Sequence, residues 1–155
     1  MNDDFEQQAA AFGSRGTLIG LDLGEKTIGV ASCDPDRQVA TPVTTIRRVK
    51  FTPDAALLAK LAAERRAVGL VLGLPLNMDG TEGPSAQSVR AFARNLARLL
   101  ALPVAFWDER LSTVAMERAL IALDTSRARR AQKIDESAAA FILQGAIDRL
   151  RRERR

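Results

Sequence analysis

The stretch Thr17-Leu-Ile-Gly-Leu-Asp-Leu-Gly24 decides how this chain folds. Its apolar run predicts a buried strand over 17–23, interrupted by one carboxylate, Asp22. A tight turn at 24–26 leads into a second apolar segment over 27–33, so the two segments predict a β-hairpin. Burying a carboxylate costs free energy unless it is paired or binds a metal ion. Asp22 is therefore the first candidate functional residue, and a cap of the hairpin turn is its structural alternative.

Outward from this hairpin, the chain changes to alternating strands and helices. The pattern predicts a third strand over 39–46, at a sheet edge because it contains Pro42. Further elements are predicted as a helix from Pro53, a strand over 68–73, a helix from Pro84, a strand over 103–107, and helices at about 112–122 and 134–150. The order βββαβαβαα predicts an α/β protein with a mixed five-stranded sheet and helices on both faces, the topology of a ribonuclease-H-like fold.

The domain boundaries follow from the same pattern. We expect a flexible N-terminal tail over 1–16, one domain over 17–150 and a basic C-terminal tail over 151–155. The first 16 residues lack the basic-then-apolar pattern of a signal peptide. No apolar run approaches the ~20 residues of a membrane span. These features predict a cytoplasmic protein with no membrane partner.

Composition excludes several kinds of catalysis. The chain of 155 residues has no His, no Tyr and one Cys, which excludes Ser-His-Asp and Cys-His catalysis, His-ligated metals and an internal disulfide. The net charge is +4, but the segment 149–155 alone carries five Arg and one Glu, so the rest of the chain is neutral. Hydrolytic chemistry would therefore rest on carboxylates, Lys, Ser/Thr or a carboxylate-bound metal.

Two further acidic segments could join Asp22. Asp108 and Glu109 follow the fifth strand, at the edge where open parallel sheets bind ligands. Either acid could instead favour the dipole of a following helix, and Asp108 could pair with Arg110. If the fourth strand separates the first from the fifth, Glu109 starts roughly 10 Å from Asp22, and its longer side chain makes it the better candidate. Asp135 is predicted to open the last helix.

Small residues favour a shared site. Ala138 and Ala139 lie on the same helix face as Asp135, so that helix could approach the sheet closely and bring Asp135 towards Asp22. Three carboxylates in one place need a compensating cation, and oxygen ligands favour Mg²⁺, with Mn²⁺ as a substitute. Candidate cations for nucleic-acid phosphates, which could equally form solvated surface, are Lys26, Arg110, Arg127, Arg129, Arg130 and Lys133. The last four lie in a stretch predicted to be a flexible connection.

Four segments together resemble one family. They are Gly20-Leu-Asp-Leu-Gly-Glu-Lys-Thr-Ile-Gly-Val-Ala31, Gly73-Leu-Pro-Leu-Asn-Met-Asp-Gly80, Asp108-Glu-Arg-Leu-Ser-Thr113 and Asp135-Glu-Ser-Ala-Ala-Ala-Phe-Ile-Leu-Gln144. In this order they resemble the YqgF (RuvX) family of Holliday junction resolvases, also assigned as nucleases that mature the 5′ end of 16S ribosomal RNA. The resemblance implies catalytic and metal-binding roles for Asp22, Glu109 and Asp135, with Glu136 as a possible substitute for Asp135.

The resemblance also implies a reaction and a partner. The reaction is metal-dependent phosphodiester hydrolysis, for which two metal ions about 3.5–4 Å apart would replace a His base. The partner is precursor ribosomal RNA or branched DNA, and resolution of a symmetric junction would call for a homodimer.

Two other functions are compatible with these segments. One is a non-catalytic nucleic-acid or ribosome-assembly adaptor on the same fold. The other is ATP binding, because Gly20-Leu-Asp-Leu-Gly-Glu-Lys-Thr27 also resembles the first phosphate loop of actin/Hsp70-type ATPases. Those enzymes need a second such domain, for which 155 residues leave no room.

Overall fold

The fold is a five-stranded mixed sheet with helices on both faces. The computed structural model describes the backbone of residues 2–111 and 127–153, and the side chains over 4–111 and 137–152. In chain order the elements are α1 (Asn2–Ala9), β1 (Leu18–Leu23), β2 (Thr27–Cys33), β3 (Ala40–Arg47), α2 (Phe51–Glu64), β4 (Gly69–Leu74), α3 (Pro84–Leu100), β5 (Val104–Asp108) and α4 (Arg127–Glu153), with 3-10 turns at Ala10–Phe12 and Glu109–Leu111. The helix predicted at 112–122 lies outside the described residues.

The strand order brings four carboxyl ends to one edge of the sheet. The order is β3-β2-β1-β4-β5, and β2 is antiparallel to both of its neighbours while β1, β4 and β5 are parallel. β1, β3, β4 and β5 therefore all run in the same direction and end at the same edge. Pro42 lies in an edge strand, as predicted, and β4 separates β1 from β5.

The residues of β1 alternate between the two layers of the core. Ile19 and Leu21 pack with the residues of α2 and α3, whereas Leu18 packs with those of α4. Gly20 also faces α4, because a Cβ built on it would lie 2.7 Å from Cβ of Leu143. Successive strand residues point to opposite faces, so Asp22 lies on the α4 face of the sheet.

The N-terminal segment is part of the core, and the prediction of a flexible tail over 1–16 is wrong. Phe5, Ala9 and Phe12 lie on one apolar face of the segment and are each no more than 4% exposed. Phe5 contacts Trp107 edge to face with a centroid distance of 5.1 Å. The Gln8 side chain accepts a hydrogen bond of 2.8 Å from the amide of Phe106 in β5. Three apolar residues are therefore enough to hold this segment against the sheet, because the sheet supplies their packing partners.

The last helix is longer than predicted at both ends. It begins at Arg127 rather than near 134, so the basic stretch is helical rather than a flexible connection. Arg, Ala, Gln and Lys all favour helix, and no Gly or Pro interrupts them. Asp135 accordingly lies two turns inside α4 and does not open it. At the other end the helix continues to Glu153, past the predicted start of a tail at 151. Within the described residues, no helix is long and apolar enough to span a membrane.

Candidate active site

Asp22 lies in a depression of the sheet surface made by glycines. It is 6% exposed and one residue from the end of β1. In β2 it pairs with Gly29, and the pairing of Leu21 with Leu72 sets Gly73 of β4 beside it. The neighbouring positions, along β1 and on both sides, are thus all glycines: Gly20, Gly24, Gly29 and Gly73. Because none carries a side chain, other groups can approach the Asp22 carboxylate closely.

Glu109 approaches Asp22 across one of these glycines. A Cβ built on Gly73 would lie 3.1 Å from Cγ and 3.2 Å from Cδ of Glu109. The Glu109 side chain therefore lies directly on the backbone of β4, the strand next to β1. Since neighbouring strands are about 4.8 Å apart, this position covers one of the two strand spacings that separate β5 from Asp22 in β1.

Asp22 and Glu109 line a single open cavity of about 510 Å³ at the carboxyl edge of the sheet. Its wall also contains Glu25, Arg48 and the hydroxyl residues Ser85 and Ser88 of the first turns of α3. Among the described side chains, no group of three acidic or Cys residues is close enough to hold a metal ion. The cavity nevertheless presents carboxylate oxygens from β1 and from the turn after β5, which can bind a hard cation. Beside them lie a guanidinium and hydroxyl groups, which can bind an anion.

Asp108 is occupied by an ion pair. Its carboxylate is 2.7 Å from the guanidinium of Arg110 and also accepts the Arg110 amide N–H at 2.9 Å. Burial alone would raise the pKa of Asp108, but these hydrogen bonds outweigh it and hold that pKa below its ordinary value. Arg110 also donates to the carbonyl of Met78 at 3.2 Å, so it braces the loop after β4. Its nucleic-acid contact stays a prediction.

The other predicted site residues fall into two groups. Lys26 is exposed in the turn between β1 and β2, at the same edge of the sheet as the cavity. The remaining ones lie in the first turns of α4, where the backbone is described and the side chains are not: Arg127, Arg129, Arg130, Lys133, Asp135 and Glu136. For these the structure gives the helical position only.

Arg48 is a cavity residue that the sequence analysis missed. It directly follows β3, lines the cavity with Asp22 and Glu109, and donates a hydrogen bond to the carbonyl of Gly24. A signal was present, because β3 runs parallel to β1 and so ends at the same edge. The position of Arg48 at this edge follows only from the directions of the strands in the sheet, which no local acidic motif indicates.

Gly73→Ala is expected to reduce any activity that depends on Glu109 about tenfold or more without unfolding the protein. The new methyl would press on Glu109 Cγ and Cδ, and on Cδ1 of Ile142 at 2.5 Å, a flexible side-chain end that can move. A displacement of about 1 Å at a catalytic group is enough for such a loss. Gly145→Ala is the matched control, since its methyl would crowd Trp107 at 3.0 Å, in α4 away from the cavity. Equal activities of the two variants would contradict the positioning of Glu109 by Gly73.

Two solved structures of RuvC from Thermus thermophilus share this fold. RuvC in complex with a Holliday junction substrate superposes with a TM-score of 0.57 over 87% of this chain and 96% of that chain, at 13% identity. A second RuvC structure gives a TM-score of 0.54 over 86% of this chain and 96% of that chain, at 12% identity. These likenesses establish the fold alone, and they confirm the predicted ribonuclease-H-like α/β class.

Sequence relatives are much closer. A protein of Nitrobacter winogradskyi is 66% identical over 149 residues, which cover 96% of this chain and 91% of the relative. One of Cereibacter sphaeroides is 63% identical over 150 residues, covering 97% and 94%. Both carry the name "Putative pre-16S rRNA nuclease". The profile of the RuvX family, described as Holliday junction resolvase, matches residues 16–149. The chain therefore belongs to the RuvX family of nucleases.

Proposed function

We propose that the cavity containing Asp22 and Glu109 is the active site, and that it hydrolyses phosphodiester bonds with the help of divalent metal ions. The observation that carries the proposal is that both carboxylates line one open cavity. They come from segments 87 positions apart in the chain, and glycines surround the position of Asp22 and underlie Glu109. The glycines leave a depression in which a cation and a phosphate can approach the buried Asp22 carboxylate.

Asp135 is proposed as the third acid of this site. Where α4 crosses β1, the carbonyl oxygen of Ala139 would lie 3.0 Å from a Cβ on Gly20. Asp135 precedes Ala139 by four residues, which is about one turn or 6 Å along the helix. Asp22 follows Gly20 by two residues, about 6.6 Å along the strand. Gln144, further along α4, accepts the amide of Ala40 at the start of β3, so the helix runs away from the carboxyl end of β1. Asp135 and Asp22 would then both lie one step beyond the crossing, towards that end. Glu136 is the substitute to test if Asp135 proves dispensable.

The donor set fits a hard metal ion. Asp22, Glu109 and Asp135 would supply only carboxylate oxygens, which Mg²⁺ and Mn²⁺ prefer over the nitrogen and sulfur ligands typical of zinc. When bound, such ions lower the pKa of an attacking water and stabilise the departing oxygen. The protein would hold the ions, exclude competing side chains with glycines, and orient the phosphate with Arg48. A chain without His can in this way hydrolyse a phosphodiester.

We propose precursor 16S ribosomal RNA as the substrate, cleaved near its 5′ end during ribosome biogenesis in the cytoplasm. The names of relatives at 63–66% identity over nearly the whole chain support it. The family description supports a second candidate, a four-way DNA junction. Cleaving a junction symmetrically would require two active sites and therefore a homodimer.

A side-by-side cleavage assay tests the proposal. The full chain is incubated with labelled precursor 16S RNA or a labelled four-way DNA junction, in Mg²⁺, Mn²⁺ or EDTA. We expect cleavage of the RNA with either metal ion and none in EDTA. Cleavage of the junction alone would reassign the substrate and leave the chemistry standing. Binding of both nucleic acids without cleavage in either metal would contradict hydrolysis and favour the adaptor function.

A further inference from the structure

We propose that four cations beside the cavity form a binding surface for nucleic-acid phosphates. This surface would bind the nucleic-acid strand where the strand leaves the active site. We call it the β3 basic surface, and its members are Lys26, Arg47, Arg48 and Lys50. The inference rests on the proposed function for the identity of its ligand, a phosphodiester strand. It adds the path of the bound nucleic acid, which would run from the active site over the β1–β2 turn towards α2.

Arg48 connects the active-site cavity to a second one. It lines the cavity of Asp22 and Glu109, and also a neighbouring cavity of about 400 Å³ at the N-terminal end of α2. Glu25 is likewise shared by both. The two cavities therefore adjoin at the Arg48 and Glu25 side chains, and we refer to them together as the groove.

The Arg48 guanidinium is held in place and still has donors to offer. It donates to the carbonyl of Gly24 and lies over the ring of Phe92, 5.5 Å from the centroid. Within the described residues it forms no ion pair with a carboxylate, although Glu25 lines the same groove. A guanidinium has five N–H donors in a planar fork that matches a phosphate. Arg48 is thus preorganised to bind a phosphate next to the scissile one.

The backbone around Arg48 is fixed as well. The Arg48 amide donates to the carbonyl of Lys26 at 2.8 Å, which ties the segment to the β1–β2 turn. The Asp54 carboxylate, 3% exposed, accepts the amide of Val49 at 3.2 Å. The Asp54 amide in turn donates to the carbonyl of Lys50 at 3.1 Å. A loop held at both ends loses little conformational entropy when it binds a ligand.

Charge at this surface is unbalanced. Lys26, Arg47 and Lys50 are exposed around the half-buried Arg48, and the exposed Glu25 is the acid on the groove beside them. The buried Asp54 is already engaged by the Val49 amide. The chain outside its last seven residues is neutral. The four cations of the β3 basic surface outnumber Glu25 and Asp54, the acids beside them outside the active-site carboxylates, and such a local excess marks where a polyanion binds.

The arginines of α3 offer a matched control. Arg90 pairs with Glu82 at 2.6 Å. Arg94 and Arg98 follow at intervals of four residues on the exposed side of the same helix. Pro84 at the start of α3 lines the active-site cavity, but Arg98 is 14 residues further on, about 21 Å along the axis. Replacing Arg94 and Arg98 removes charge without touching the groove.

Binding measured without metal tests the surface independently of cleavage. A fluorescein-labelled single-stranded RNA is titrated in EDTA at several KCl concentrations, and fluorescence anisotropy gives Kd. In the variant Lys26→Gln/Arg48→Gln/Lys50→Gln we expect the slope of log Kd against log [KCl] to fall by about 2, as for three lost phosphate contacts. The control is Lys60→Gln/Arg94→Gln/Arg98→Gln, which loses the same charge from exposed positions of α2 and α3 that do not line the groove. Its slope should change by less than about 0.5.

Because Arg48 packs on Phe92, its replacement could disturb the fold. The double variant Lys26→Gln/Lys50→Gln leaves that contact intact, and its slope should fall by about 1.4. Equal slopes for both triple variants, an unchanged slope in the first, or no salt-dependent binding by the wild type would each overturn the surface. The proposed function fails separately, if the wild type binds as described yet cleaves nothing with Mg²⁺ or Mn²⁺.

Discussion

Asp22→Asn is expected to reduce metal-dependent cleavage by about 10³-fold or more, a loss in the range measured for central catalytic groups. The amide keeps the shape of the carboxylate but removes the negative charge that would hold the cation. Because shape and burial are unchanged, the variant should fold, with a Tm in EDTA within a few degrees of the wild type. Single-turnover cleavage with Mg²⁺ and thermal unfolding in EDTA measure the two quantities.

Asp36→Asn is the control for this substitution. Asp36 is an exposed acid that pairs with Arg15 at 2.8 Å, in the turn between β2 and β3 at the opposite edge of the sheet. The same chemical change there should leave the cleavage rate unaltered. Wild-type activity in Asp22→Asn would remove this residue from the active site, and a loss in both variants would indicate a general effect of charge.

Glu109→Gln is expected to lower cleavage by about 10²-fold or more, whereas Asp108→Asn should stay within a few-fold of the wild type. Glu109 lines the cavity and lies on Gly73, while the neighbouring Asp108 is held by Arg110. The two substitutions remove one charge each from adjacent residues, so they test which acid acts. Rates at saturating and at low substrate concentration separate kcat from KM.

The opposite ranking of the Asp108→Asn and Glu109→Gln variants would also be informative. If Asp108→Asn were the inactive variant and Glu109→Gln the active one, the orientation of the two acids after β5 would be contradicted. Loss of the Asp108–Arg110 pair would also loosen the loop that Arg110 braces at Met78. That effect would raise KM through substrate contacts and leave the metal dependence of the rate unchanged.

The sheet was predictable because its signals are local. Apolar runs mark β1, β2, β4 and β5, and the edge position of β3 follows from Pro42. Asp22 also stands out locally, as a charge in an apolar run. The glycines around it are only partly readable, since Gly20 and Gly24 flank it in the sequence. Gly29 and Gly73 become its neighbours only through the strand registers.

The errors came from interactions that no local pattern contains. Phe5 and Phe12 stand in a polar segment, and their burial depends on Trp107 and on the space above Gly69, where a Cβ would lie 2.1 Å from the Phe12 ring. The start of α4 differs from the prediction because the basic run over 127–133 suggests a flexible connection, although the residues of that run favour helix. Arg48 was missed because its position depends on the direction of β3.

Manganese binding to the metal-free protein tests the central claim most directly, since it requires neither a substrate nor an assay of cleavage. The free Mn²⁺ signal in electron paramagnetic resonance is followed as wild-type protein or Asp22→Asn is added. The account predicts that the wild type depletes this signal and that Asp22→Asn binds the ion at least about tenfold more weakly. Indistinguishable titrations of the two proteins would contradict a metal site at Asp22.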